Sequence, residues 1–161
     1  MSLYAMADNN VEIPVARDAA LYNALSGNQD FVIGGVGNEL TCSTNSLTVT
    51  MQSGEGVIQG RHVTCIGTET VQVNANSSGT IVLRYDLTRS AGSEAYLTAV
   101  NLVVQNDLSN GGTIRDLPLY QYSSASSSVT LADVRNLLTS PLGDQVKFTL
   151  TGSDLYIEVM D

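Results

Sequence analysis

Ile81-Val82-Leu83-Arg84-Tyr85-Asp86-Leu87 is the stretch that decides the fold class. Ile81, Leu83, Tyr85 and Leu87 fall on one side of an extended chain, and Val82, Arg84 and Asp86 on the other. That is the period of a strand, where successive side chains point to opposite faces. Working upstream, Phe31-Val32-Ile33 precedes the turn-rich Gly34-Gly35-Val36-Gly37. Leu47, Val49 and Met51 alternate with Thr48, Thr50 and Gln52. Val57 to Ile66 is read as a strand interrupted by Gly60, a mark of a bulge or a close backbone contact. Val71 and Val73 follow, then a turn at Asn76-Ser77-Ser78-Gly79.

Downstream, Ala95 to Val104 alternates through Val100, Leu102 and Val104. A loop at Leu108 to Gly112 leads to Leu117-Pro118-Leu119-Tyr120-Gln121-Tyr122. Proline cannot donate to a ladder, so that strand is expected to begin at Pro118 or to lie at an edge. The chain closes on a predicted hairpin, residues 145–159. Val146, Phe148 and Leu150 alternate on one strand and Leu155, Ile157 and Val159 on the other. Gly152-Ser153 supplies a two-residue turn between them.

Two stretches read as short helices. Val15 to Leu25 places Leu21, Tyr22 and Leu25 on one face and stops at Ser26-Gly27. Thr130 caps a second, with Asp133 in its first turn and Leu131, Val134, Leu137 and Leu138 as its apolar face. Ser123 to Ser128 between them is a solvated loop. The expected class is mainly β: a β-sandwich with two short flanking helices and a C-terminal β-hairpin. Residues 1–14 are expected to be a flexible leader, and 15–161 a single domain.

Composition narrows the function. Hydrophobic residues are 43% of the chain, enough for a core, but charged residues are only 14%, well under the usual quarter. Ser, Thr, Asn and Gln carry solubility instead, which suits contact with other protein surfaces, since few charges need desolvating. The net charge is −9, Lys147 is the sole lysine, and the arginines (Arg17, Arg61, Arg84, Arg89, Arg115 and Arg135) are scattered. Nucleic acid and anionic membranes both demand clustered positive charge, so neither is an expected partner. No apolar run is long enough to span a bilayer, and no signal peptide is visible. Synthesis in a cytoplasm, with reduced thiols, is expected.

Motifs for chemistry are sparse. His62, in Gly60-Arg61-His62-Val63, reads as an ordinary strand histidine, with Cys65 on the other face of its strand. A serine or cysteine hydrolase would need it as the base. Glu55, Glu69, Asp86 and Glu94 are dispersed, and nothing in their spacing pairs them across a cleft as a glycosidase requires. Asn106 to Gly111 only echoes a calcium loop. Gly34-Gly35-Val36-Gly37 lacks phosphate-loop spacing and reads as a hairpin turn. Cys42 and Cys65 are two buried thiols, or a disulfide if their strands are neighbours. We therefore expect no enzyme activity, no cofactor and no metal. Tyr96, Tyr120 and Tyr122, in predicted strands, serve either packing or a saccharide-binding face.

The order of several segments is similar to a known group. Arg17-Asp18 and Tyr22-Asn23 come first, then Leu47-Thr-Val-Thr-Met51 and Gly56-Val-Ile-Gln-Gly60-Arg-His-Val63. Thr80-Ile-Val-Leu-Arg-Tyr-Asp-Leu87, Asp116-Leu-Pro-Leu-Tyr120 and Val134-Arg135-Asn136 complete it. Across roughly residues 15–138 this resembles the β-rich module of siphophage baseplate and tail-tip proteins, including the N-terminal part of upper baseplate proteins. The resemblance implies a non-catalytic virion module that binds other tail or baseplate proteins and supports host-receptor attachment. It also implies synthesis in a bacterial cytoplasm. Such proteins continue into a stalk or further domain, whereas this chain ends on its hairpin. Homo-oligomer formation is expected, with Leu155, Ile157 and Val159 as the candidate subunit contact. The alternative is a carbohydrate-binding module for a host cell-wall saccharide.

Overall fold

The computed structural model describes residues 19–20, 23–24, 27–89, 99–139, 146–151 and 154–159, the last two stretches as backbone. It is mainly β. The strands are β1 (Phe31–Ile33), β2 (Cys42–Asn45), β3 (Thr48–Met51), β4 (Gly54–Ile58), β5 (Arg61–Cys65) and β6 (Glu69–Gln72). They continue with β7 (Ser78–Asp86), β8 (Val100–Gln105), β9 (Ile114–Ser124), β10 (Val129–Asp133) and β11 (Leu137–Leu138). β12 (Val146–Thr151) and β13 (Asp154–Val159) close the chain. A 3-10 turn, Leu87–Arg89, follows β7.

These strands form sheets of order β11-β1-β4-β5, β10-β9-β7-β8 and β2-β3-β6, with β12-β13 as a separate pair. The ladders are antiparallel except that β1 runs parallel to β11, Val32 opposite Leu137. β2 lies beside β10 and β6 beside β8, so the three-stranded sheet meets the β7 sheet at both margins. Between them sits one apolar cluster that also reaches into the first sheet: Val32, Ile58 and Val63 join Val49, Met51, Ile81, Leu83, Leu117 and Leu119. The decisive stretch is at its centre. Ile81 and Leu83 face the cluster, and Val82 on the other face is fully buried too.

Sequence periodicity placed most strands, and turn chemistry corrects several boundaries. Val57 to Ile66 is not one interrupted strand but a hairpin. Gln59 and Gly60 have φ of 50° and 71°, the left-handed pair of a type I′ turn, whose twist matches its flanking strands. Gly60 is indeed a close approach, since a Cβ there would lie 1.7 Å from the Ala19 carbonyl oxygen. The Gly34 to Gly37 segment is not a hairpin turn, because β1 and β2 belong to different sheets. It is a crossing loop, held by Asn38 and Leu40 amides donating to the Ser53 carbonyl at 2.9 and 3.2 Å.

Pro118 neither starts a strand nor lies at an edge. β9 is an inner strand, and Pro118 sits inside it where the register slips: Ile81 faces Tyr120 but Val82 faces Pro118. That irregularity is where a sheet tolerates a residue without an amide hydrogen. The second expected helix is also overturned. Thr130 to Asp133 pair with Asp133 opposite Tyr120, and Leu137 and Leu138 pair with β1. Ladder bonds to two partner strands outweigh a weak helical stripe (Val134, Leu137 and Leu138 remain exposed). For the first helix, Ala19–Ala20 and Asn23–Ala24 are helical, and the rest of Val15 to Leu25 lies outside the described residues, as does the 1–14 leader. Among the described residues no flanking helix of the expected kind stands.

The terminal hairpin has the expected register, Val146 opposite Val159, Phe148 opposite Ile157 and Thr151 opposite Asp154. Gly152 and Ser153 themselves lie outside the described residues.

Candidate functional site

Arginines organise the polar parts of this molecule. Arg84 and Asp116 face each other across β7 and β9. Nε and Nη2 of Arg84 donate to Oδ1 and Oδ2 of Asp116 at 2.8 and 2.9 Å. Oδ2 of Asp116 also accepts the Ser109 amide at 2.7 Å, which ties the β8–β9 loop to the sheet. Asp116 is 2% exposed, so its carboxyl oxygens sit in a dry place and depend on these donors. The hydrogen bond to Asp116 raises the Arg84 guanidinium further above its ordinary value.

Arg135 makes a second junction. It pairs with Asp133, donates from Nη1 to the Glu39 carbonyl at 2.6 Å, and lies 5.3 Å from the centre of the Tyr120 ring. The Arg135 hydrogen bonds hold the Asp133 carboxyl below the usual carboxylate range, while burial pushes the Tyr120 phenol up. Arg115 pairs with Asp30, whose other oxygen accepts the Gln59 amide at 2.8 Å. The Arg84 and Arg115 pairs, and the Arg135 bond to the Glu39 carbonyl, link segments distant in sequence, and each of these three arginines is matched by an aspartate.

His62 and Glu55 come together on β4 and β5, Nε2 to Oε2 at 2.8 Å. Both sit at the surface, the histidine side chain 56% exposed. Alternation along β5 is as expected: His62 and Thr64 face outward, Val63 inward. Among the described residues no three of His, Cys, Asp and Glu gather as metal ligands. Glu69 lies on β6, and Asp86 accepts from the Thr88 amide and hydroxyl at 2.9 and 2.6 Å. Glu94 lies outside the described residues. Cys42 and Cys65 are free thiols, on β2 and β5. Burial pushes the Cys42 thiol up to about 12 and raises that of Cys65 as well, so neither carries a ready thiolate.

Of the tyrosines named from sequence, Tyr120 is 8% and Tyr122 6% exposed; they are core side chains and offer no open face to a sugar. Tyr96 lies outside the described residues. Leu155, Ile157 and Val159 alternate along β13, and only their backbone is described.

What the sequence did not announce is an open cleft of about 970 Å³ where β5, β6 and β8 meet. Its floor includes Met51, Leu83 and Leu102, and its walls carry Arg61, Glu69 and Tyr85. Arg61 lies 5.4 Å from the centre of the Tyr85 ring. Arg61 shares its strand face with Val63, a signal that an arginine points inward, but only the pairing of β4 with β5 fixes which face is inward. No helix among the described residues is long and apolar enough to cross a membrane. No protein-family model matches the chain, and a search of curated proteins found no match.

Proposed function

We propose that the chain is a non-catalytic structural module of a phage tail or baseplate, with a β-sandwich body that assembles by protein–protein contact and supports host attachment. The observation that carries the contact part of this reading is that β11 is an edge strand among the described residues. Leu137 and Leu138, outermost in their sheet, are 38% and 43% exposed, with Val134 nearby in sequence also exposed. Apolar side chains on an unpaired edge favour covering by another chain. The outer strands β2 and β6 are clothed mostly in Ser, Thr, Asn and Gln, which come out of water on contact at little electrostatic cost. The baseplate assignment itself rests on the order of sequence segments.

The proposed homo-oligomeric contact is the terminal hairpin through Leu155, Ile157 and Val159, with other tail or baseplate proteins as further partners. Synthesis in the bacterial cytoplasm and residence in the virion complete the reading. Immunogold labelling of purified virions tests it: gold at the distal tail is expected, and virions without label overturn it. Light scattering on the pure chain tests the hairpin. Ile157→Asp should shift an oligomer to monomer, whereas a wild-type chain that stays monomeric at high concentration removes the contact.

A further inference from the structure

We propose that the cleft between β5 and β8 is a binding site for a small apolar molecule bearing one carboxylate. Arg61, Val63 and Cys65 share one face of β5, and Val63 on that face is buried. The Arg61 guanidinium is therefore on the core-facing side of its strand, over a floor of Met51, Leu83 and Leu102. Arg84, Arg115 and Arg135 each lie in a salt bridge with an aspartate. Arg61 has no carboxylate within that distance among the described residues. Its contacts are the Gln59 carbonyl at 3.4 Å and the face of Tyr85.

A cation turned toward apolar surface without a counter-ion is costly, and an anion that comes to it recovers that cost. The ring of Tyr85 holds the guanidinium plane in place, so little freedom is lost when its fork closes on a carboxylate. Among the described residues, β5, β6 and β8 are each the outermost strand of their own sheet, which places the cleft where sheet margins meet. The volume fits the roughly 300–1,000 Å³ of small-molecule sites. Hydrocarbon from the ligand would cover the half-buried Val100 and Leu102, while the carboxylate meets Arg61. This site is independent of where the chain resides, so its test and the virion test can fail separately.

Octanoate and octanol are the probes, titrated into the full chain by calorimetry and followed by amide chemical shifts. Octanoate should bind one per chain and move the amides of residues 61–70 and 100–102, and octanol should bind more weakly. Arg61→Gln should weaken octanoate roughly tenfold or more, the scale of one charge-assisted hydrogen bond, and leave octanol unchanged. Arg61→Lys should fall between. The proposal is overturned by octanoate that does not saturate, by equal binding to Arg61→Gln, or by shifts confined to another part of the wild-type chain. The shift map uses no variant, so it decides the matter even if Arg61→Gln unfolds.

Discussion

Asp116 and Asp133 are both aspartates paired with arginine, yet burial makes them differ in consequence. The Asp116 side chain has no exposure and Arg84 is 22% exposed, so removing the carboxylate strands a half-buried cation and the Ser109 amide. Asp116→Ala should cost about 3–5 kcal/mol, the scale for breaking one side of a buried pair, read from urea unfolding. Asp116→Asn keeps an acceptor and should cost less; equal loss in both would mean that charge alone matters. Asp133 is 47% exposed, and its role shows in pH rather than in size. Its carboxyl titrates lower in the folded chain than in the unfolded one because of the Arg135 hydrogen bonds. Its stabilisation is thus complete above the unfolded value of about 4 and fades as pH falls through the lower folded value. Comparing acid unfolding of wild type and Asp133→Asn should show their stabilities converging below about pH 4. A constant gap between them down to acid would contradict the pairing.

Turns, more than strands, fix how the elements join, and Gly60 gives the clearest case. It combines a φ of 71° with the Ala19 carbonyl oxygen 1.7 Å from where a Cβ would stand. Gly60→Ala should lose at least about 1–2 kcal/mol from the left-handed backbone alone, and more from displacing the Ala19 segment. Gly112→Ala, with nothing within 4 Å of its Cβ, should stay within roughly 0.5 kcal/mol. Matching losses in thermal unfolding would refute the close approach. The same glycine shows what the sequence could tell. Period-two alternation marked β3, whose Val49 and Met51 are buried between half-buried threonines, and β8, whose Val100, Leu102 and Val104 pack against the cluster. In β7 it is the polar Arg84 and Asp86 that show the period, since Ile81, Val82 and Leu83 are all buried. Alternation could not separate β4 from β5, since Gln59 in a left-handed turn breaks no hydrophobic pattern. Leu131, Val134, Leu137 and Leu138 fit a helical stripe as well as a strand, and the pairing of β10 with its hairpin partner β9 and of β11 with the distant β1 decides between them. The candidate cleft was illegible for a similar reason: Arg61 and Tyr85 are 24 residues apart in sequence and belong to different sheets, so only the packing of one sheet against another brings them together.

Across the whole molecule, one apolar cluster draws on β1, β3, β4, β5, β7 and β9, and the most distant pairing joins Val32 to Leu137. A body built this way should not lose one sheet while keeping another. Tyr120 and Tyr122 are buried in that cluster, so tyrosine fluorescence reports on the core while far-ultraviolet circular dichroism reports on the ladders. The two signals should share one urea midpoint, as all-or-none unfolding requires. Closing long loops before their contacts form should also place refolding in the millisecond-to-second range typical of chains dominated by non-local pairing. Stopped-flow mixing measures this directly. Ladders that survive at a urea concentration where the tyrosines are already solvated would show that the three sheets are separate units, each with its own stability. In that case the shared cluster would be a contact between them and not the core that holds them together.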